Sequence, residues 1–372
     1  MKRIVLIALL VPLIFGVYFW FKRIKPPLET KFVQNVKELD TQDLKLNQEE
    51  KQTKNANFEI KKPGDYELVD NPKHVYQTFN NCGPATLSMI LSWLGTNVSQ
   101  KELGDQMRPY QIASGDNDDK TIFTYEFVDW AKKYGFETVG RVNGDIKLLK
   151  TFTANGIQVV VKTWLKPNED IGHFRIVRGF DEGKKIIIQD DSYDGPNKRI
   201  SYYDFLSMWQ SFNYAYIIVF PDDKKDLVEE IMEEVDEETA WRNALARAQK
   251  EAEIDPENVY PWFNMSSSYY HLGEYQKSIE AFEKVETRLP KRMLWYQIEP
   301  IQAYKELGNY DRVFEITDRL LNGGNRAFSE LYQIRGEIYL SQGNKDAAKR
   351  EFELALAYNK NFFPAQESLR SM

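Results

Sequence analysis

One cysteine and three histidines occur in the 372 residues, so the candidates for a nucleophile and its base are few. Cys82 lies in Asn80-Asn81-Cys82-Gly83-Pro84-Ala85-Thr86-Leu87, where a polar turn gives way to an apolar helical pattern that runs to Gly95. Pro84 suits the first helical turn, where a missing N–H costs nothing, and Gly95 is a stop signal. The pattern predicts Cys82 at the start of a mostly buried helix. The positive end of a helix dipole there favours a thiolate, the nucleophilic form. Gly83 leaves room for a substrate backbone to approach the sulfur. Gln77, upstream, can aim its side-chain amide at a developing oxyanion, with the Cys82 backbone N–H as second donor. A lone cysteine at a helix start is also common as plain core filling, so the assignment turns on a base.

His271 falls in a helical repeat and His74 is close to Cys82 along the chain, which leaves His173. Gly172 precedes it and β-formers follow, so His173 begins a strand through Phe180. The turn Asp181-Glu182-Gly183 leads into a second strand, Lys184 to Asp191, and the two read as an antiparallel hairpin. The start of the first strand then lies beside the end of the second. That places His173 next to Asp190 and Asp191, either of which can bond the imidazole and fix its tautomer. The chemistry open to such a set is attack by a thiol on an amide carbonyl, through an acyl-enzyme.

The residues Gln77, Asn81-Cys82-Gly83-Pro84-Ala85, Gly172-His173-Phe174 and Asp191-Ser192 with Gly195-Pro196-Asn197 resemble the C39-like family of papain-fold cysteine peptidases. The likeness covers residues 67–222. It implies Cys82 as nucleophile, His173 as general base, Asp191 as the orienting carboxylate and Gln77 as oxyanion donor. Asp190 is the alternative carboxylate; Asp191 is preferred because it leads directly into the following turn, as in family members. C39 relatives attached to export transporters cut leader peptides after double glycine. No transporter ATPase or multi-span segment is recognisable here, so that role does not transfer. Two other readings stand beside the peptidase: a peptide-binding or assembly protein of the same fold without catalysis, and an amidase or acyl transferase.

Several elements must position these residues. Ile157–Lys162 reads as a strand, Tyr202–Trp209 as an amphipathic helix, Phe212–Phe220 as a final strand, and Thr121–Tyr134 as a helix after the acidic run Asp116–Asp119. The run from Asp190 begins like an EF-hand loop but has Ser201 at its twelfth position and Lys198 at its ninth, which does not suit calcium. No metal or cofactor is expected.

After residue 222 the pattern becomes helical. Gly273, Gly308 and Gly343 recur every 35 residues, with Tyr269, Tyr304 and Tyr339 ahead of them in register. Phe282, Thr317 and Phe352 follow in register. This resembles tetratricopeptide (TPR) repeats, whose period is about 34 residues. Leu227 to Ile254 reads as a divergent first repeat or a capping pair. Such arrays form a groove suited to a protein partner or substrate, or act as a spacer.

Residues Ile4 to Phe21 form an 18-residue run without charge, flanked by Lys2, Arg3, Lys22, Arg23 and Lys25. That is about the length needed to span a bilayer. Bulky aromatics replace a small-residue cleavage site, so an uncleaved anchor is expected, with the rest of the chain extracytoplasmic. The net charge of -7 argues against nucleic acid. The expected organisation is a membrane anchor over 1–25, a polar stalk over 26–66, an α+β papain-like domain over 67–222 and an all-α TPR domain over 223–372.

Overall fold

The computed structural model describes residues 59–110, 122–232 and 236–372. The apolar run 4–21 lies outside them, and no described helix is long and apolar enough to cross a membrane.

Helix α1, Cys82–Trp93, is buried continuously from Gly83 to Leu91. A helix apolar on all sides must run through a core. Helices α2 (Gln100–Met107) and α3 (Thr124–Lys133) pack against it. Among the described residues, seven strands form one antiparallel sheet: β1 (Tyr66–Leu68), β2 (Glu137–Arg141), β3 (Val159–Trp164), β4 (Gly172–Asp181), β5 (Ile186–Asp191), β6 (Gly195–Ser201) and β7 (Tyr216–Phe220). Their order is β2-β7-β3-β4-β5-β6, with β1 paired to the far end of β4. Helix α4 (Ile146–Ala154) follows β2, and α5 (Tyr202–Gln210) follows β6. The β4–β5 hairpin sets Arg175 opposite Asp191 and Ile176 opposite Asp190.

The last strand is shorter than expected. Residues 212–215 form a turn rather than strand, because Asn213 and Tyr214 both take left-handed backbone angles (φ 52° and 55°) and Ala215 N–H bonds the Phe212 carbonyl at 2.9 Å. The segment from Asp190 to Ser201 closes the β5–β6 hairpin, with Asp191 opposite Gly195.

Helices α6 (Lys225–Met232) and α7 (Glu237–Ile254) lead into paired helices: α8 (Val259–His271) with α9 (Tyr275–Glu283), α11 (Glu299–Glu306) with α12 (Tyr310–Asn322), and α13 (Ser329–Ser341) with α14 (Lys345–Tyr358). A short helix α10 (Met293–Tyr296) sits before α11, and α15 (Phe363–Ser371) ends the array. Gly273, Gly308 and Gly343 each occupy the tight turn inside a pair, at φ 75°, 72° and 78°. A Cβ on any of them would meet nothing within 4 Å. The left-handed backbone, not lack of space, therefore explains the 35-residue period of glycine.

The two halves share a core. Phe123, Trp164, Met208 and Phe212 from the sheet half cluster with Phe263, Trp295 and Tyr296 from the helical half. The sheet half also has a core of its own, around Leu87, Leu91, Phe127, Phe174 and Ile217, so the shared cluster is a seam between the halves.

Candidate active site

Cys82 is the first residue of α1 and is half-buried. The Asn81 side chain makes no capping bond to the helix; its amide donates to Thr78 Oγ1 at 2.7 Å instead. The backbone N–H groups of a first helical turn have no partner within the helix, so the helix start offers donors beside the sulfur. Gly83 is buried, and a Cβ there would come within 2.6 Å of Ile122 Cδ1. A side chain at this position would have to displace Ile122.

Strand alternation puts His173 and Arg175 on one face of β4. Asp191, facing Arg175 from β5, reaches both. Its Oδ1 lies 2.9 Å from His173 Nε2, and its Oδ2 accepts from Arg175 Nε at 2.7 Å. Oδ1 also accepts the main-chain N–H of Tyr193 (2.7 Å) and Asp194 (3.0 Å). His173 and Asp191 are both almost fully buried. Burial raises the Asp191 carboxyl, but the His173 bond and charge, the Arg175 guanidinium and the turn N–H of Asp194 outweigh it and hold the group well below the usual carboxylate range. Burial likewise works against an imidazolium at His173. The bond and charge of Asp191, with a hydrogen bond to the Cys82 side chain, push it up to about 9. With Nε2 on Asp191, Nδ1 is the ring nitrogen left for the sulfur.

Asp190 points elsewhere. It accepts from Asn71 Nδ2 (2.8 Å) and the Asn197 N–H (2.9 Å), and Arg178 lies 3.4 Å away. It ties β5 to the segment at Asn71 and to the neighbouring strands β4 and β6, while His173 bonds Asp191. Gln77 is tied to the Asp191 corner. Its N–H bonds the Ser192 carbonyl at 2.8 Å, and Ser192 Oγ donates to its Oε1 at 2.8 Å. With the carbonyl branch engaged, the amide N–H groups occupy the other branch.

Two residues in this constellation were not singled out from sequence. Arg175 looks like one more residue in a strand, yet it is buried and its Nη1 also donates to the Trp164 carbonyl (2.8 Å). Its spacing of two from His173 is the signal that places it on the same face. Ser192 was part of a motif without a role; it orients Gln77. His74 is not an ordinary surface residue. Burial pulls its imidazole down, against the charges of Asp190 and Asp191, and its ring packs edge-on against Tyr76 at 4.7 Å. His271 stacks on Trp241 at 3.9 Å, within the repeat half. Among the described residues no cluster of His, Cys, Asp and Glu is arranged to hold a metal ion.

Residues 66–217 match the Peptidase C39-like family, and residues 259–288 and 329–362 match tetratricopeptide repeats. The chain therefore carries a papain-like C39-type domain followed by TPR helices. Among solved structures it is similar to the peptidase domain of Streptococcus ComA, a bi-functional ABC transporter involved in a quorum-sensing pathway. That likeness is 23% identical, covers 42% of this chain and 98% of that one, and has a TM-score of 0.31. It is also similar to xylellain, a cysteine protease from Xylella fastidiosa, at 11% identity, 44% and 88% coverage and a TM-score of 0.34. MamA is similar at 19% identity, 39% and 77% coverage and a TM-score of 0.31. A TPR repeat-containing protein of Methanocaldococcus jannaschii is 27% identical over 135 residues, or 34% of this chain. The chain spans 24% of that relative's length.

Proposed function

We propose that the chain is a cysteine peptidase that cuts a peptide bond with Cys82, His173 and Asp191. The observation that carries this reading is a buried imidazole bonded by Asp191 through one nitrogen, on a strand packed against the helix that begins at Cys82. With the proton already on His173 as an imidazolium, the Cys82 thiolate attacks the carbonyl carbon. The amide of Gln77 and the Cys82 N–H receive the oxyanion. The tetrahedral intermediate collapses, the C–N bond breaks, and His173 hands its proton to the leaving amine. Water, deprotonated by His173, then hydrolyses the thioester, which releases the carboxylic acid and restores the thiol. Asp191 stays ionised throughout and holds the imidazolium.

The same proposal places an anchor at residues 4–21, with the domains outside the cytoplasm, and gives the repeats a protein partner or substrate. One stripe of the array is already engaged within the chain. Tyr260, Asn264 and Ser268, spaced four apart on α8, face Trp164, Gln210 and Asn213. A partner therefore meets other surfaces of the repeats.

The test is incubation of the full-length chain with a mixture of tryptic peptides, followed by mass spectrometry for new termini. New cleavages that vanish in both Cys82→Ser and His173→Ala support a peptidase. Cleavage absent from the wild type, together with peptide retention by the folded chain, supports the binding-protein reading instead.

A further inference from the structure

Among the contacts between the two halves, one group reaches the strand end that carries His173. Asp170, three residues before it, is held by Arg292 at the start of α10. The guanidinium donates to one carboxylate oxygen at 2.7 Å, and the Arg292 main-chain N–H donates to the other at 3.2 Å. Tyr296, one turn later, lays its ring on Gly172. A Cβ at Gly172 would sit 2.7 Å from that ring, so only glycine admits this approach. Trp164 pairs with Gly172 across β3 and β4. It meets the Tyr296 ring edge-on at 5.7 Å and donates its indole N–H to Tyr260 Oη at 3.0 Å.

The residues immediately before His173, and the residue paired with Gly172, are thus gripped from the repeat half. A strand end opens more readily than a strand middle unless something ties it down. A base that must meet a thiol cannot tolerate such opening, since productive geometry holds within about 0.5 Å. The geometry points to Arg292 and Tyr296 as positioning residues for His173. The repeat array is then a working part of the site, not an arm tethered to it. Neither residue touches the reacting atoms. This inference rests on the peptidase reading for its catalytic consequence, but the grip itself is measurable without it.

The experiment uses the full-length chain with Arg292→Ala, Arg292→Lys and Tyr296→Leu. Arg292 and Asp170 side chains are about a quarter exposed (23% and 24%), so Arg292→Ala stays folded even where Tyr296→Leu does not. Two readouts are taken: amide exchange over residues 170–176, and the pH profile of iodoacetamide labelling of Cys82. In Arg292→Ala, exchange at 171–174 rises by about tenfold, while β7 keeps its protection. Labelling at neutral pH slows by about threefold to tenfold, and Arg292→Lys recovers most of both. Unchanged exchange and unchanged labelling in a folded Arg292→Ala overturn the inference, as does a loss of protection spread evenly over the sheet. If wild-type Cys82 labels as an ordinary thiol regardless of His173, the peptidase reading is what fails. Amide exchange alone then decides whether Arg292 holds the strand.

Discussion

Asp191 serves two cations at once, and replacing it with asparagine separates their roles. The side chain keeps its shape but loses its charge, and one oxygen becomes an NH2 group. That group meets a donor whichever way it turns, His173 Nε2 at Oδ1 or Arg175 Nε at Oδ2. Arg175 is left as a buried cation without its carboxylate, a change that costs about 3–5 kcal/mol when one member of a buried pair is removed. Arg175→Met should cost a comparable amount, because the Leu165 carbonyl loses the Arg175 donor and the Trp164 carbonyl keeps only Thr163 Oγ1. In the double variant no unpaired buried cation remains. Urea unfolding should then show a loss smaller than the sum, with a coupling of about 1–3 kcal/mol. Reactivity should divide differently. Asp191→Asn removes the group that raises His173 and should abolish fast thiol labelling near neutral pH, and Arg175→Met added to it should not restore that labelling. Additive stabilities, or fast labelling that survives in Asp191→Asn, would refute the reasoning.

Asp190→Asn should lower stability by about 1–3 kcal/mol through its bonds to Asn71 and Asn197, yet leave the pH profile of Cys82 labelling as in wild type. Gln77→Ala should leave labelling by iodoacetamide intact, since alkylation forms no oxyanion, while any peptide hydrolysis slows by about 10²–10³-fold. His173 is raised above an unfolded value of about 6.5, so its stabilising contribution is fully present below that pH and is lost as pH rises through about 9. Unfolding of wild type against His173→Gln should accordingly show a stability gap that closes between neutral and strongly alkaline pH.

What could be read from the chain was local. Asn81, Pro84 and the apolar run placed Cys82 at a helix start, and the Asp181-Glu182-Gly183 turn between two β-rich runs set His173 beside the aspartates. Repeat glycines were legible because a left-handed turn admits little else. Features that depend on distant partners were not. Arg175 reads as a strand residue until the register brings Asp191 opposite. Gly172 gives no hint of Tyr296, 124 residues later, and nothing near Trp164 names Tyr260. The turn at Asn213 and Tyr214 was hidden because aromatic and β-branched neighbours imitate a continuous strand. The change of periodicity near residue 222 was legible, but the packing of Trp164, Met208 and Phe212 against Trp295 and Tyr296 was not.

The central claim, a thiol activated by His173, is tested most directly by labelling Cys82 in the full-length chain with an iodoacetamide probe from pH 4 to 9. The account predicts fast labelling of the wild type well below pH 8 and a marked slowing in His173→Ala. Slow labelling that rises only near the usual thiol range of about 8.5, with the same profile in both proteins, would contradict it.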